Sequence, residues 1–254
     1  MTVQLLTSLL LLTMRLDVYL AENSLVDSRT DAKNFILAGA VTVDGRVINK
    51  PSFDVSGEEN ILVDKSGKRF VSRGGLKLEA ALDSFNITVN GLTAIDVGAS
   101  SGGFTDCLLK RGANKVIAVD SGSGQMVQSL REDSRVVVVE NYNARYMSRD
   151  DFYDTPDIAV MDVSFISARL IIPAVYSVLS DKGTFVCLIK PQFEVGKGGL
   201  NKKGIVKNET LRKQAVADVI ECAESVGFIK LGLIESPILG GDGNTEYLVH
   251  LKKI

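Results

Sequence analysis

A glycine-rich turn between an apolar run and a helical pattern constrains this chain more than any other feature. Residues 93–97 read as a buried strand. Gly98-Ala99-Ser100-Ser101-Gly102-Gly103 reads as the turn, and Phe104, Leu108 and Leu109 make one helix face that Gly112 closes. Strand, glycine loop and helix in that order are how an open α/β sheet builds a nucleotide-like site. The glycines let backbone approach a ligand and take φ values forbidden to other residues. The helix start adds free N–H groups and a positive dipole end. Asp96 lies just before the loop, and Asp120 follows the next apolar run, where an acid ordinarily binds ribose hydroxyls. The spacing Gly-x-x-x-Gly-Gly is not the dinucleotide pattern Gly-x-Gly-x-x-Gly. The plainer reading of the same residues is a turn that binds nothing.

Beyond the loop, strand and helix patterns alternate. Val136–Val139 is a third buried run, and Asn143, just after it, is placed to reach an adenine edge. Residues 157–163 and 184–189 are the next strands, followed by Lys190-Pro191. Residues 170–179 predict a helix bent at Pro173, and 210–226 an amphipathic one. Residues 228–234 and 246–251 close the pattern as strands. The alternation predicts an α/β fold with a doubly wound sheet, parallel in its centre. Asp96-x-Gly98-x-x-x-Gly102-Gly103 resembles the S-adenosylmethionine loop of methyltransferases, with Ala99, Ser100 and Phe104 alongside. Seven strands with short final returns resemble the methyltransferase fold.

The chain has 254 residues, 45% hydrophobic and 24% charged, enough for one large domain or two unequal ones. A net charge of −2 argues against a uniformly basic nucleic-acid binder. Cys107, Cys187 and Cys222 are widely spaced and predict reduced, buried thiols of a cytoplasmic protein. His250 is the one histidine, so a histidine metal site or a Ser-His-Asp triad is not expected, and no metal is. The greasy tract Leu5–Leu12 is too short to span a bilayer and has no positive charge before it. Residues 1–13 therefore read as an extension, with no membrane span expected.

Residues 14–64 predict a small α+β module. Ser28 is placed to cap a helix carrying Ala32, Phe35, Ile36 and Ala38 on one face, ended by Gly39. Asp44-Gly45 between alternating apolar residues predicts a hairpin with a type I′ turn. The string from Arg15-Leu16-Asp17 through Ser28-Arg29 to Gly39-Ala40-Val41-Thr42-Val43-Asp44-Gly45 resembles the RNA-binding domain named after the fourth small-subunit ribosomal protein. That resemblance implies structured-RNA binding, with Arg15, Arg29 and Lys33 as phosphate contacts. Yet the five cations Arg15, Arg29, Lys33, Arg46 and Lys50 face nine acids between residues 15 and 64. A protein-docking module is the plainer reading.

Residues 65–75 read as a basic linker. Lys65, Lys68, Arg69, Arg73 and, just beyond, Lys77 are its cations. Lys68, Arg69 and Arg73 are expected to face RNA. The second domain then spans 76–254. Lys77 falls in a first helical turn, an odd place for a cation if the dipole alone decided. Asp162 and Lys190 end strands, and Glu246 opens a strand that is antiparallel in this fold, so all reach one sheet edge. A second basic tract, Lys197, Lys202, Lys203, Lys207, Arg212 and Lys213, is broken by glycines and reads as a flexible phosphate-binding loop.

Ser72-Arg73-Gly74-Gly75-Leu76-Lys77-Leu78, the glycine loop, Met161-Asp162-Val163-Ser164-Phe165-Ile166-Ser167, Lys190-Pro191-Gln192-Phe193-Glu194 and Gly241-Asp242-Gly243-Asn244-Thr245-Glu246-Tyr247 together resemble the TlyA, or hemolysin A, family. The resemblance implies S-adenosylmethionine-dependent 2′-O-methylation of cytidine ribose in ribosomal RNA, on free RNA or ribosomal subunits. It also implies a catalytic Lys77, Asp162, Lys190, Glu246 tetrad. The chemistry agrees: a ribose hydroxyl is a poor nucleophile, and a neutral lysine, here Lys190, can take its proton. Competing expectations are a methyltransferase for a small molecule or protein, and a cytolysin. A pore needs a spanning helix or converting strands, which nothing beyond residues 1–13 offers. Nothing in the sequence fixes an oligomeric state.

Overall fold

Alternation of apolar and polar residues around Asp44-Gly45 requires a tight reversal, and both residues take positive φ, 49° and 77°. They join β2 (Val41–Val43) to β3 (Arg46–Val47). This hairpin belongs to the first of two units, 1–68 and 69–254. The computed structural model describes residues 13–37, 39–64, 70–240 and 243–254. Residues 1–12, Ala38, the stretch 65–69 with Lys68 and Arg69, and Gly241-Asp242 lie outside the described residues.

In the first unit, β1 (Met14–Arg15) leads into α1 (Leu16–Glu22) and pairs antiparallel with β4 (Asp54–Val55). The Ser28 hydroxyl accepts from the Asp31 N–H at 3.0 Å and starts α2 (Arg29–Leu37). The hairpin pairs with β5 (Ile61–Val63) in the order β3-β2-β5. Leu16, Leu20, Ala32, Ile36 and Val41 fill the core.

The second unit follows the alternating pattern. It contains α3 (Gly74–Ser84), β6 (Thr93–Val97), α4 (Gly103–Lys110), β7 (Lys115–Val119), α5 (Gln128–Arg131), β8 (Val136–Val139) and β9 (Ile158–Met161). α6 (Ile172–Val178), β10 (Thr184–Ile189), α7 (Glu209–Ser225), β11 (Phe228–Glu235) and β12 (Tyr247–Lys253) complete it. The strands form one seven-stranded sheet, β11-β12-β10-β9-β6-β7-β8. β6 to β10 run parallel; β12 runs antiparallel between β10 and β11. The pleat sends Ile95 and Val97 into a layer with α6 and α7, and Ala94 into a layer with α3 and α4. The order in which the parallel strands are laid down reverses between β6 and β9, where such sheets open a crevice at their carboxyl ends.

Two expectations change. Pro173 does not bend a helix; it lies in the first turn of α6, where no intrahelical N–H is required of it. Residues 70–75, expected as linker, are folded into the second unit. Phe70 is buried, the Val71 N–H donates to Asp106 at 2.8 Å, and Gly75 lies so close to Phe70 that a Cβ would sit 2.2 Å from the ring.

Candidate active site

The glycine loop is built by steric necessity. Gly98 has φ +87°, and a Cβ there would come within 2.5 Å of the Asp162 carbonyl oxygen. Gly102, at φ +97°, heads α4, where a Cβ would meet Leu130 at 2.3 Å. Between them Ser100 holds φ 47° because its N–H donates to Asp120 Oδ2 at 2.8 Å. The other oxygen of Asp120 accepts the Gly122 N–H at 2.7 Å. Asp120 thus braces the loop from the end of β7.

Asp96 plays its part from behind. It is fully buried, lines neither cavity beside the loop, and accepts from the Thr105 hydroxyl at 2.7 Å. Burial pushes its carboxyl up to about 7, with the Asp162 and Asp120 charges adding to the effect against the Thr105 hydrogen bond. Its Oδ1 has no hydrogen-bond partner among the described residues.

A cavity of about 270 Å³ opens at the loop. Arg73, Lys77, Gly98, Phe104, Asp162 and Lys190 are among its lining. A second, about 480 Å³, lies past the ends of β7 and β8 and includes Asp120, Asn143, Arg145 and Phe165. Gly98 and Ser164 line both, so the two are neighbouring compartments of one crevice. Asn143 caps a short turn, its side-chain oxygen accepting from the Arg145 N–H at 3.1 Å.

The four residues expected as a tetrad come together as two ion pairs. Lys77 Nζ lies 2.6 Å from Glu246 Oε2, with the side chains only 9% and 2% exposed. Lys190 Nζ lies 2.5 Å from Asp162 Oδ1. Strand register explains the meeting. Ile189 at the end of β10 pairs with Tyr247 at the start of β12, which sets Lys190 and Glu246 at one edge. Glu246 precedes β12 rather than opening it, and Gln192 Nε2 donates to its other oxygen at 3.1 Å. A cation four residues into α3 is thereby explained by a partner across the site rather than by the helix dipole.

Sequence reasoning gave no role to four side chains that hold this site. Ser164 accepts from Lys190 Nζ at 2.8 Å. Glu194, its side chain 2% exposed, accepts from Ser167, Ala168 and Arg169. Gln192 steadies Glu246. Asn244, buried, accepts the Val206 N–H and donates to the Gly204 carbonyl. Each stood inside a quoted motif, which was the available signal.

The expected RNA contacts divide. Arg15 and Arg29 both bind the buried Asp17, at 2.9 and 3.1 Å. The Arg15 and Arg29 guanidiniums hold that carboxyl down to about 2. They serve the fold as well as facing outward. Lys33, Lys202 and Lys203 are exposed. Lys197 opens a short 3-10 turn. The tract is not a slack loop: Asn201 and Asn244 pin residues 203–206, Arg212 donates to two carbonyls, and Lys213 pairs with Glu209. Burial pushes the Cys107 and Cys187 thiols up, as inert core cysteines require, whereas Cys222 is only partly buried. His250 sits half-buried against the Phe85 ring, outside the crevice lining.

Sheet order, glycine loop and crevice together define an open α/β domain of the methyltransferase class. Residues 70–253 match the FtsJ-like methyltransferase family, and residues 14–61 match the S4 domain. Hemolysin A of Brachyspira hyodysenteriae is 43% identical over 93% of this chain and 99% of its own length. The 16S/23S rRNA (cytidine-2′-O)-methyltransferase TlyA of Mycobacterium tuberculosis is 42% identical, over 94% of this chain and 89% of its own. A solved structure from Streptococcus thermophilus, described as a hemolysin, superposes with a TM-score of 0.73 at 43% identity, over 95% of this chain and 88% of that one. The chain belongs to the TlyA/hemolysin A branch of the FtsJ-like methyltransferases.

Proposed function

We propose that this chain methylates ribosomal RNA at the 2′-hydroxyl of cytidine ribose, using S-adenosylmethionine. The observation that carries the reading is the meeting of Lys77, Asp162 and Lys190 on one cavity beside the glycine loop, with Glu246 locked behind Lys77. The same reaction stands in the name of the Mycobacterium relative.

The crevice fits the methyl donor. The Gly98–Phe104 loop has no room for a Cβ at Gly98, and the compartment beyond carries a carboxylate, Asp120, and an amide, Asn143, suited to ribose and adenine edges. When bound, S-adenosylmethionine supplies a methyl on a sulfonium sulfur, open to attack by an oxygen. Lys190 is the base: in its neutral form it accepts the proton that the 2′-hydroxyl gives up as the oxygen attacks. Asp162 orients that amine. Lys77, fixed by Glu246, stands beside the developing alkoxide and favours its negative charge. Holding the reacting groups in line is the larger part of the rate.

RNA is met by the S4-type domain and by Lys33, Arg73, Lys202 and Lys203, with the protein at work in the cytoplasm. The hemolysin name belongs to relatives; among the described residues no helix is long and apolar enough to cross a membrane. The test is transfer of labelled methyl to unmodified ribosomal subunits, read by mass spectrometry of nucleosides. Wild type yields 2′-O-methylcytidine, and Lys190→Ala loses it by about a hundredfold or more. Near-normal turnover by Lys190→Ala removes that residue as the base. No transfer to any subunit or free RNA overturns the substrate.

A further inference from the structure

We infer that Ser164 is a positioning residue for the Lys190 amine and that Glu194 fixes where Ser164 stands. The inference rests on the reading of Lys190 as the base. An amine nitrogen has three directions besides its carbon. Here Ser164 Oγ takes one as a hydrogen bond at 2.8 Å, while Asp162 Oδ1 stands 2.5 Å away as an ion partner outside hydrogen-bond alignment. A neutral amine has two N–H groups and one lone pair. With one N–H held on Ser164 and the Asp162 charge favouring the other N–H on its side, the lone pair is left to the cavity that Lys190, Asp162 and Ser164 all line. Without Ser164, one N–H and the lone pair exchange places freely, and part of the population presents a hydrogen to the substrate instead of a lone pair.

Ser164 is an exposed residue, so its own packing does not hold it. Its neighbourhood does. Phe165, next in the chain, has φ 62°, a conformation costly for a bulky side chain and retained where surroundings impose it. Its ring lies 5.2 Å from that of Phe193. Glu194 then binds the Ser167 hydroxyl at 2.6 Å, the Ala168 N–H at 2.7 Å and Arg169 Nε at 3.2 Å. The loop after β9, bearing Asp162 and Ser164, is thus tied to the loop after β10, bearing Lys190. The distance between acceptor and amine is set twice, once by parallel strand pairing and once by Glu194.

In the reaction the proton passes from the 2′-oxygen to Lys190 Nζ while the oxygen–carbon bond forms. The carbon–sulfur bond breaks with its electron pair staying on sulfur. Ser164 changes no bond in this; it keeps one N–H engaged before and after.

The test compares wild type, Ser164→Ala and Ser164→Thr with unmodified ribosomal subunits. Binding of S-adenosylhomocysteine is measured by calorimetry and of subunits by filter retention. Ser164→Ala should lower kcat about tenfold, with KM and both dissociation constants within about twofold of wild type. Ser164→Thr keeps the hydroxyl and should recover most of the rate. A Ser164→Ala enzyme with wild-type kcat, a loss confined to KM, or a threonine variant as slow as alanine overturns the inference while leaving Lys190 as base. An inactive wild type overturns the reading beneath it.

Discussion

Lys77→Met breaks the more buried of the two ion pairs and carries a calculable cost. The ammonium and carboxylate are 2.6 Å apart, with side chains 9% and 2% exposed. Removing the amine leaves Glu246 charged, enclosed, and held by Gln192 at 3.1 Å. Breaking one side of such a pair costs about 3–5 kcal/mol, because the surviving charge is uncompensated. In a unit of this size each kcal/mol lowers Tm by roughly 2–4 °C, so a fall of about 6–20 °C follows. Replacing both members with apolar residues, Lys77→Met with Glu246→Leu, removes the stranded charge and should restore the greater part of it. Thermal unfolding followed by circular dichroism, with urea titration alongside, measures both. A single variant that loses less than about 2 °C, with no recovery in the double, would refute the claim that this pair is buried and mutually compensating.

Two further outcomes follow from carboxylates. The folded state holds the Asp96 proton up to about 7 while the unfolded chain releases it near 4, so wild-type stability falls as pH rises between those values and is level above. Asp96→Asn, which cannot ionise, should gain on wild type by about 2–3 kcal/mol between pH 5 and pH 8; a flat or shrinking difference contradicts the assignment. Asp17 is the opposite case. Its carboxyl is held down to about 2, so its contribution is present above the ordinary carboxylate value and is lost as pH falls toward 2. Asp17→Asn should weaken the first unit by about 1–2 kcal/mol at neutral pH, by hydrogen exchange at α1 and α2 amides, with the gap closing below about pH 4.

Much of the architecture was legible because it depends on local pattern. The glycine loop announced a sheet edge, apolar runs announced the parallel strands, and Asp44-Gly45 announced a reversal that its φ values bear out. The four candidate residues were legible as three beside strand termini, Asp162, Lys190 and Glu246, and one, Lys77, in the first turn of a helix. Their division into two pairs was not, since pairing depends on β12 lying beside β10 and no periodicity reports that. Pro173 misled because a proline inside a helical pattern and one in its first turn look alike until the start is known. Arg15 and Arg29 looked like phosphate ligands because a sequence shows the cation and not the buried carboxylate it meets. Ser164, Glu194 and Asn244 escaped for the same reason. Their partners lie 26, 27 and 38 residues away.

The spacing of those partners also dictates how the site comes into being. Ser164 and Lys190 are 26 residues apart, whereas Lys77 and Glu246 are separated by 169. Closing the longer loop costs about 1.7 kcal/mol more in chain entropy. It also requires β12, the last strand in the chain, to pair with β10, which brings the edge strand β11 into the sheet through β12. The Lys190–Asp162 pair and the glycine loop depend on β6, β9 and β10, whereas the Lys77–Glu246 pair depends on β12 as well. The glycine loop and Lys190 thus rest on the parallel core of the sheet, and the second ion pair rests on its antiparallel return.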